Sequence, residues 1–270
     1  MADSTRTTSR PAPTRDTIDL GLAPSAGPVA FGGDLSAQSL LTAYRRGMYP
    51  FPADTLEHQL LNELTYESDV AAGRIRQIPG SAEPYAVAWW SPDPRPLIFT
   101  GQVHLPRSLR QQLRNKLDWV TTANRCFRQV VLECRAGRAR RWLTDELVDS
   151  LCELHELGHA HSAEVWDGDE LIAGTFGIHA GSILSADSQF TRRGGGAKVA
   201  VADITRRFAD VGGVALDVQH DSEHVRRLGA ELVPRSQYLD MLSIPTIRRA
   251  LSTRALPARR LAEPRPVEGS

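Results

Sequence analysis

Residues 154–188 read Leu-His-Glu-Leu-Gly-His-Ala-His-Ser-Ala-Glu-Val-Trp-Asp-Gly-Asp-Glu-Leu-Ile-Ala-Gly-Thr-Phe-Gly-Ile-His-Ala-Gly-Ser-Ile-Leu-Ser-Ala-Asp-Ser. His155 to His159 spell H-E-x-x-H, the pattern of zinc proteases. That pattern needs both histidines one turn apart on a single helix, with a third ligand downstream. A helix does lead in: Thr144 is a cap, Asp145 and Glu146 suit its first turn, and Leu147, Leu151 and Leu154 recur at helical spacing. Gly158 falls where a helix stops, and the residues from His159 to Val165 have strand character. His159 is therefore expected beyond the helix end, with the two rings diverging. Ser162 and Val165 also stand where the extended protease pattern has Gly and His. No metal is expected here.

Downstream, the pattern predicts a strand over 159–165, a turn at Asp167-Gly168-Asp169, a strand over 171–178, a turn near Gly181 and a strand over 182–188. An antiparallel meander follows from these. Next come a basic glycine-rich loop (192–196), a helix from Ala197 to about Asp210 and a strand over 214–218. A short helix capped by Ser222 and stopped at Gly229 leads into 231–233. The expected fold class is mixed α/β, and the meander–helix–strand–helix–strand order is similar to that of GNAT-type acyltransferases.

The rest of the chain is less regular. Residues 1–28 are rich in Ser, Thr, Arg, Pro and Ala, and are expected to form a disordered tail. A small N-terminal domain is expected over 29–105, opened by a helix capped at Ser36 and stopped at Gly47. Met48 to Pro52 are expected to be a rigid aromatic loop, and 53–86 an inserted surface element. Trp89 to Arg95 are proline-rich and are expected to wrap around the body. A GNAT-like domain should span 106–246, with a loose basic tail over 247–270.

Of the 270 residues, 41% are apolar and 24% charged, as in an ordinary globular chain. No apolar run approaches the roughly 18 residues of a membrane span, so no membrane partner is expected. Cys126, Cys134 and Cys152 are odd in number, which argues against a disulfide framework and for a cytoplasmic setting. Net charge is zero, so global charge advertises no nucleic acid. The bases are nearly all arginine, in local clusters that suit either solvated helix faces or a phosphate-binding surface.

Two motifs could carry chemistry. Arg192-Arg193-Gly194-Gly195-Gly196-Ala197 satisfies R-x-x-G-x-A, a diphosphate cradle at a helix N-terminus in acetyl-CoA enzymes; a flexible solvent loop is equally compatible. Asp217 and Gln219 share one side of a strand end. A carboxylate bonded to a carboxamide fixes the amide, leaving its carbonyl as a preset acceptor for an attacking amine. Alternatively, the pair only caps the next helix.

The strings F-G-G-D-L-S, Y-R-R-G-M-Y-P, W-W-S-P-D-P-R, L-H-E-L-G-H-A-H-S-A-E-V-W, D-V-Q and L-G-A-E-L-V-P-R occur in that order and together resemble the leucyl/phenylalanyl-tRNA–protein transferases. The resemblance implies an enzyme that moves Leu or Phe from aminoacyl-tRNA to the α-amine of an N-terminal Arg or Lys, marking that protein for degradation. It implies no cofactor, because the ester is already activated. By the same analogy Gln219 accepts from the attacking amine while Asp217 orients and polarises it. Trp142 matches a tryptophan associated with the terminal adenosine of the tRNA, although the residue alone could equally be core.

The chain departs from the family pattern at several places. The family's G-E-S-M-F-S is Ala186-Asp187-Ser188-Gln189-Phe190-Thr191, and its tryptophan in the proline loop is Phe51. The expected donor pocket lies between the meander and the following helix and strand, lined by Leu184, Val201, Ile204 and Leu216 with Asp187 and Ser188 beside it. Such an apolar lining should admit Leu and Met, and Phe less well. Asp187, a methylene shorter than glutamate, is expected to hold its partner less closely. A donor other than tRNA, such as CoA, and a non-catalytic tRNA-binding role are the competing expectations.

Overall fold

The computed structural model describes residues 18–136, 142–245 and 250–263. Strand β1 (Pro28–Gly32) is buried along its whole length and leads to α1 (Ala37–Arg45), capped by the Ser36 hydroxyl accepting from the Ser39 N–H. Leu40, Leu41 and Tyr44 form the buried stripe of α1. Strand β2 (Tyr49–Pro52) follows, where a loop was expected. Its alternate residues bond β4 (Val87–Trp90), which leaves Pro50 and Pro52, lacking N–H groups, on the open edge. Between β2 and β4 lie α2 (Leu56–Ala71), capped by Thr55, and β3 (Arg76–Ile78). The expected surface element thus adds a strand to the sheet β2-β4-β1-β3. Tyr66 on α2 packs on Phe31 with ring centroids 5.6 Å apart.

The second sheet is larger. Its elements are β5 (Arg95–Phe99), α3 (Arg107–Asn115), β6 (Val120–Ala123), α4 (Phe127–Arg135), α5 (Asp145–Glu156), β7 (Ala160–Asp167), β8 (Glu170–Ala180), β9 (Ile183–Ser185) and β10 (Ser188–Thr191). They continue with α6 (Gly196–Asp210), β11 (Ala215–Asp217), α7 (Glu223–Arg227), β12 (Glu231–Val233), α8 (Arg235–Ser243) and β13 (Leu256–Pro257). The strand order is β12-β5-β11-β9-β8-β7-β6-β13, with β10 on β8. The expected meander and the helix–strand–helix–strand that follows it are present.

Three further segments differ from expectation. Trp89 and Trp90 end β4, and Arg95 opens β5, which lies between β11 and β12 in the larger sheet. The prolines Pro92 and Pro94 fall in the connection, where no ladder bond is lost. Ile18 and Leu20 are buried, and Arg235 donates to the carbonyls of Ala23 and Pro24, so 18–28 are packed rather than tail-like. Near the C-terminus β13 pairs with β6, and Arg260 reaches the buried Asp203, which also bonds Arg207 and Thr121. Residues 1–17 and 264–270 lie outside the described residues.

One irregularity positions the site. Along β8, Ala173 to Phe176 pair with β10, whereas His179 and Ala180 pair with β9. The two partners part at Gly177, where a Cβ would lie 1.6 Å from the Ser185 carbonyl oxygen, so only glycine fits. Past this fork β9 turns away to run parallel with β11. The predicted single strand over 182–188 is therefore two, broken at Ala186 and Asp187.

Candidate active site

Asp187 sits in the crotch of the fork. Its backbone N–H donates to Phe176 O on β8, and that of Ala186 donates to Asp217 O on β11, so both branches fix the break. Gln219 lies just beyond β11 with φ of 63°, a left-handed conformation uncommon for a residue with a side chain. Its Nε2 donates to Asp187 Oδ1 at 2.5 Å. Asp187 Oδ2 is enclosed without a well-formed hydrogen bond among the described residues. Burial pushes the Asp187 pKa up to about 7; the Ser185 and Tyr44 hydroxyls oppose this, and Asp217 adds to it. Because Nε2 is committed to Asp187, the opposite face of the carboxamide presents an acceptor.

The orienting carboxylate is thus Asp187, not Asp217. Asp217, 1% exposed, is taken up by Arg95: Nε reaches Oδ1 at 2.9 Å and Nη2 reaches Oδ2 at 2.6 Å. The Tyr238 hydroxyl donates to Oδ2 at 3.0 Å, and Oδ1 accepts from the Gln219 backbone N–H at 2.9 Å. The Arg95 guanidinium lies over the rings of Tyr49 and Tyr238, 4.8 and 4.6 Å from their centroids. Burial opposes its charge, but Asp217 together with Tyr238 and Tyr49 raises its pKa. Burial and the nearby Asp217 raise the Tyr238 phenol, and burial with Asp187 raises that of Tyr44, so both stay protonated donors. Asp217 therefore holds the Gln219 backbone in its strained turn and leaves the carboxamide to Asp187. Nor does the pair cap α7, whose cap is Ser222. The sequence pattern assigns Arg95, Tyr44 and Tyr238 no role at the site, although Arg95 closes the W-W-S-P-D-P-R string and Tyr44 opens Y-R-R-G-M-Y-P.

A cavity of about 180 Å³ opens at the fork, lined by Asp187, Ser188, Gln189, Val201, Val218, Val225 and Leu228 among others. Its location between meander, helix and strand is the predicted one, but its lining is not. Of the four expected apolar residues only Val201 lines it. Leu184, Ile204 and Leu216 are buried in the core cluster behind it. Val225 and Leu228 come from α7 and its end, in the stretch that reads V-R-R-L-G-A. Phe51 and Trp142 lie elsewhere, face to face at 6.0 Å between centroids and 11° between planes, both partly accessible.

The remaining motifs are structural. Helix α5 ends at Glu156 and Gly158 has φ of 80°. His155 stacks on Phe127 at 4.3 Å and bonds the Ala160 carbonyl. In the glycine-rich loop, Arg192 pairs with Glu133, and Arg193 pairs with Asp167 and Glu170. These acids neutralise the positive charge a diphosphate would need.

The forked sheet thus sets a fixed carboxamide beside a cavity of mixed polar and apolar lining. Residues 97–243 match the family model of leucyl/phenylalanyl-tRNA protein transferases. The leucyl/phenylalanyl-tRNA–protein transferase of Erwinia tasmaniensis is 36% identical over 83% of this chain and 85% of its own. The transferase of the same name from Xanthomonas axonopodis pv. citri is 34% identical over 83% of this chain and 80% of its own. A solved GCN5-related N-acetyltransferase-like protein from Streptococcus suis overlaps 51% of this chain and 57% of its own at 15% identity and a TM-score of 0.31, too slight to bear on the assignment. The chain belongs to the leucyl/phenylalanyl-tRNA protein transferase family, and it is an aminoacyltransferase.

Proposed function

We propose that this enzyme transfers Leu, and also Phe or Met, from aminoacyl-tRNA to the N-terminal Arg or Lys of acceptor proteins in the cytoplasm, marking them for degradation. The observation that carries the mechanism is the Asp187–Gln219 hydrogen bond, which turns the carboxamide oxygen into a fixed acceptor. The acceptor's α-amine attacks the ester carbonyl carbon while one of its N–H groups donates to that oxygen. A C–N bond forms, the ester C–O bond breaks, and the amine proton finishes on the leaving ribose oxygen. A carboxamide does not itself keep the proton; it orients the lone pair and supports charge as it develops on nitrogen. Asp217, through Arg95, fixes the loop that carries it.

The 180 Å³ cavity receives the donor side chain. An apolar cavity of about 150 Å³ holds a benzene ring, so Phe has room as well as Leu and Met. The expected bias against Phe loses its ground with the residues assigned to it. Phe51 and Trp142 provide a stack that the terminal adenine extends, worth roughly 1–3 kcal/mol per base. Among the described residues no helix is long and apolar enough to cross a membrane.

The test is transfer from charged Leu-, Phe- and Met-tRNA to a peptide with N-terminal Arg. All three donors should react, and Val225→Phe should cost Phe more than Leu by filling the cavity. Transfer from CoA thioesters only, or equal losses for all donors in the variant, would contradict these assignments.

Asp187 gives the reaction a pH signature. Only its ionised form is a full acceptor for Gln219, so turnover should fall as pH drops through about 7. The acceptor's own amine, ordinarily near pKa 7.7–8.0, titrates on the same limb. Wild-type turnover should therefore fall with a slope steeper than one proton, and Asp187→Asn should reduce it to one. Unchanged steepness in the variant would remove Asp187 from the profile. For stability the sign is opposite: the folded state holds its proton more tightly than the unfolded chain. Asp187 thus favours folding below about pH 4, and that contribution is lost as pH rises to about 7. Asp187 already reaches its partner at 2.5 Å, so Asp187→Glu should bring no gain, contrary to the expectation from side-chain length.

A further inference from the structure

Strand β11 ends at Asp217, and the chain must turn before α7, which Ser222 caps. It does so without a glycine. The His220 N–H donates back to the Val218 carbonyl at 2.7 Å, across Gln219 with its φ of 63°. A bond from residue i to i+2 over a residue of positive φ is the strained form of the γ-turn, rare in proteins. Glycine would adopt it freely but would carry no carboxamide. Such strain persists only where the surrounding structure over-determines it.

Two bonds restrain the turn on its N-terminal side. Asp217 Oδ1 accepts from the Gln219 N–H, and the Pro96 carbonyl accepts from the Val218 N–H at 3.2 Å. Both partners belong to the second sheet. The C-terminal side is held from the first. His220 Nε2 is 3.2 Å from the Tyr49 hydroxyl, and its ring stands edge-on to Tyr49 and Trp90 with centroids 5.6 and 6.2 Å apart. Tyr49 and Trp90 are direct cross-strand neighbours on β2 and β4, so they form one platform. Tyr49 is itself buried, with the Arg95 guanidinium over its ring. Burial raises the Tyr49 phenol pKa against the pull of Arg95, so its hydroxyl stays a donor. Desolvation lowers the imidazole pKa of His220, Arg95 adds to this and Asp217 opposes it, so a neutral ring accepts at Nε2.

We propose that His220 is a positioning residue: docked on Tyr49 and Trp90, it holds the γ-turn that aims the Gln219 carboxamide at Asp187. The first sheet thereby sets the geometry of a group carried by the second. The assignment rests on the reading of Gln219 as the acceptor for the attacking amine, and it gives Tyr49 and His220 a part in turnover without contact with the reacting atoms.

The experiment measures kcat and KM for transfer of Leu from Leu-tRNA to an Arg-N-terminal peptide. Tyr49→Phe removes one hydroxyl and keeps the ring beside Arg95. His220→Leu keeps bulk and loses the acceptor, whereas His220→Gln places an acceptor within reach of the same hydroxyl. Tyr49→Phe and His220→Leu should each lower kcat about fivefold, the effect of one hydrogen bond, with KM for both substrates unchanged. His220→Gln should recover most of the loss, and the Tyr49→Phe/His220→Leu double variant should be no slower than His220→Leu. Added to Gln219→Ala, His220→Leu should cost nothing more. Exchange of the His220 amide hydrogen, which the γ-turn bond protects, should be faster in Tyr49→Phe. The proposal is overturned if both single variants keep kcat within twofold of wild type, or if the loss appears in KM instead. It is also overturned if His220→Gln recovers nothing, or if the His220→Leu loss persists in full beside Gln219→Ala. If Gln219→Ala alone keeps wild-type kcat, the acceptor role of the carboxamide falls. Faster exchange of the His220 amide in Tyr49→Phe would then still support the clasp on the turn, and unchanged exchange would overturn it.

Discussion

Arg95→Met should lower the free energy of unfolding by about 3–5 kcal/mol, the cost of leaving one partner of a buried ion pair unmatched. Both side chains of the Arg95–Asp217 pair are 1% exposed, so water does not replace the lost guanidinium. What remains to Asp217 is the Tyr238 hydroxyl and the Gln219 backbone N–H. The measurement is urea unfolding, with the midpoint falling at unchanged slope. Arg95→Met combined with Asp217→Asn should recover part of the loss, because the buried charge is then gone. A single-variant loss under about 1 kcal/mol would place the pair among those that contribute little. Arg95 also bonds the Gly47 carbonyl and packs on Tyr49, so the variant loosens the join between the first sheet and the second.

Gln219→Ala should reduce turnover about 100-fold while leaving the affinity for charged tRNA close to wild type. Removing one preorganised hydrogen-bonding group aimed at developing charge costs roughly 10²–10³-fold. The interaction with the amine is realised mainly as charge develops on nitrogen, so turnover and catalytic efficiency should fall together. Single-turnover transfer at saturating Leu-tRNA reads this directly. A variant that keeps near-normal turnover, or one that loses tRNA affinity in proportion, would take the carboxamide out of the mechanism.

Much of the second half was legible because its signals are local. Gly158 as a helix stop, the caps Thr144 and Ser222, and the turn Asp167-Gly168 each act within a few residues, and each stands where the pattern puts it. Asp187, Ser188 and Val201 could be placed on one cavity because they flank the predicted junction of meander and helix. The fork was not legible. Its cause is that one strand changes partners at Gly177, and the close approach of Ser185 to that glycine is a tertiary fact with no periodicity. The same holds for Asp217. Strand alternation put it beside Gln219, but the positive φ at Gln219 turns the side chain away, and Arg95, distant in sequence, takes the carboxylate. Leu184, Ile204 and Leu216 were apolar and near the site, which does not distinguish a lining residue from the core behind it. The prolines of Pro50-Phe51-Pro52 suggested a loop because the rule against proline in strands does not hold at an open edge.

The central claim is that Asp187 acts through Gln219. A double-mutant cycle on single-turnover transfer of Leu from Leu-tRNA to an Arg-N-terminal peptide tests it most directly. Asp187→Ala and Gln219→Ala are each compared with wild type and with the double variant. If Asp187 serves to hold the carboxamide, the double variant should be no slower than Gln219→Ala alone. If the two losses multiply in the double variant, Asp187 acts on the substrate by itself and the account is wrong.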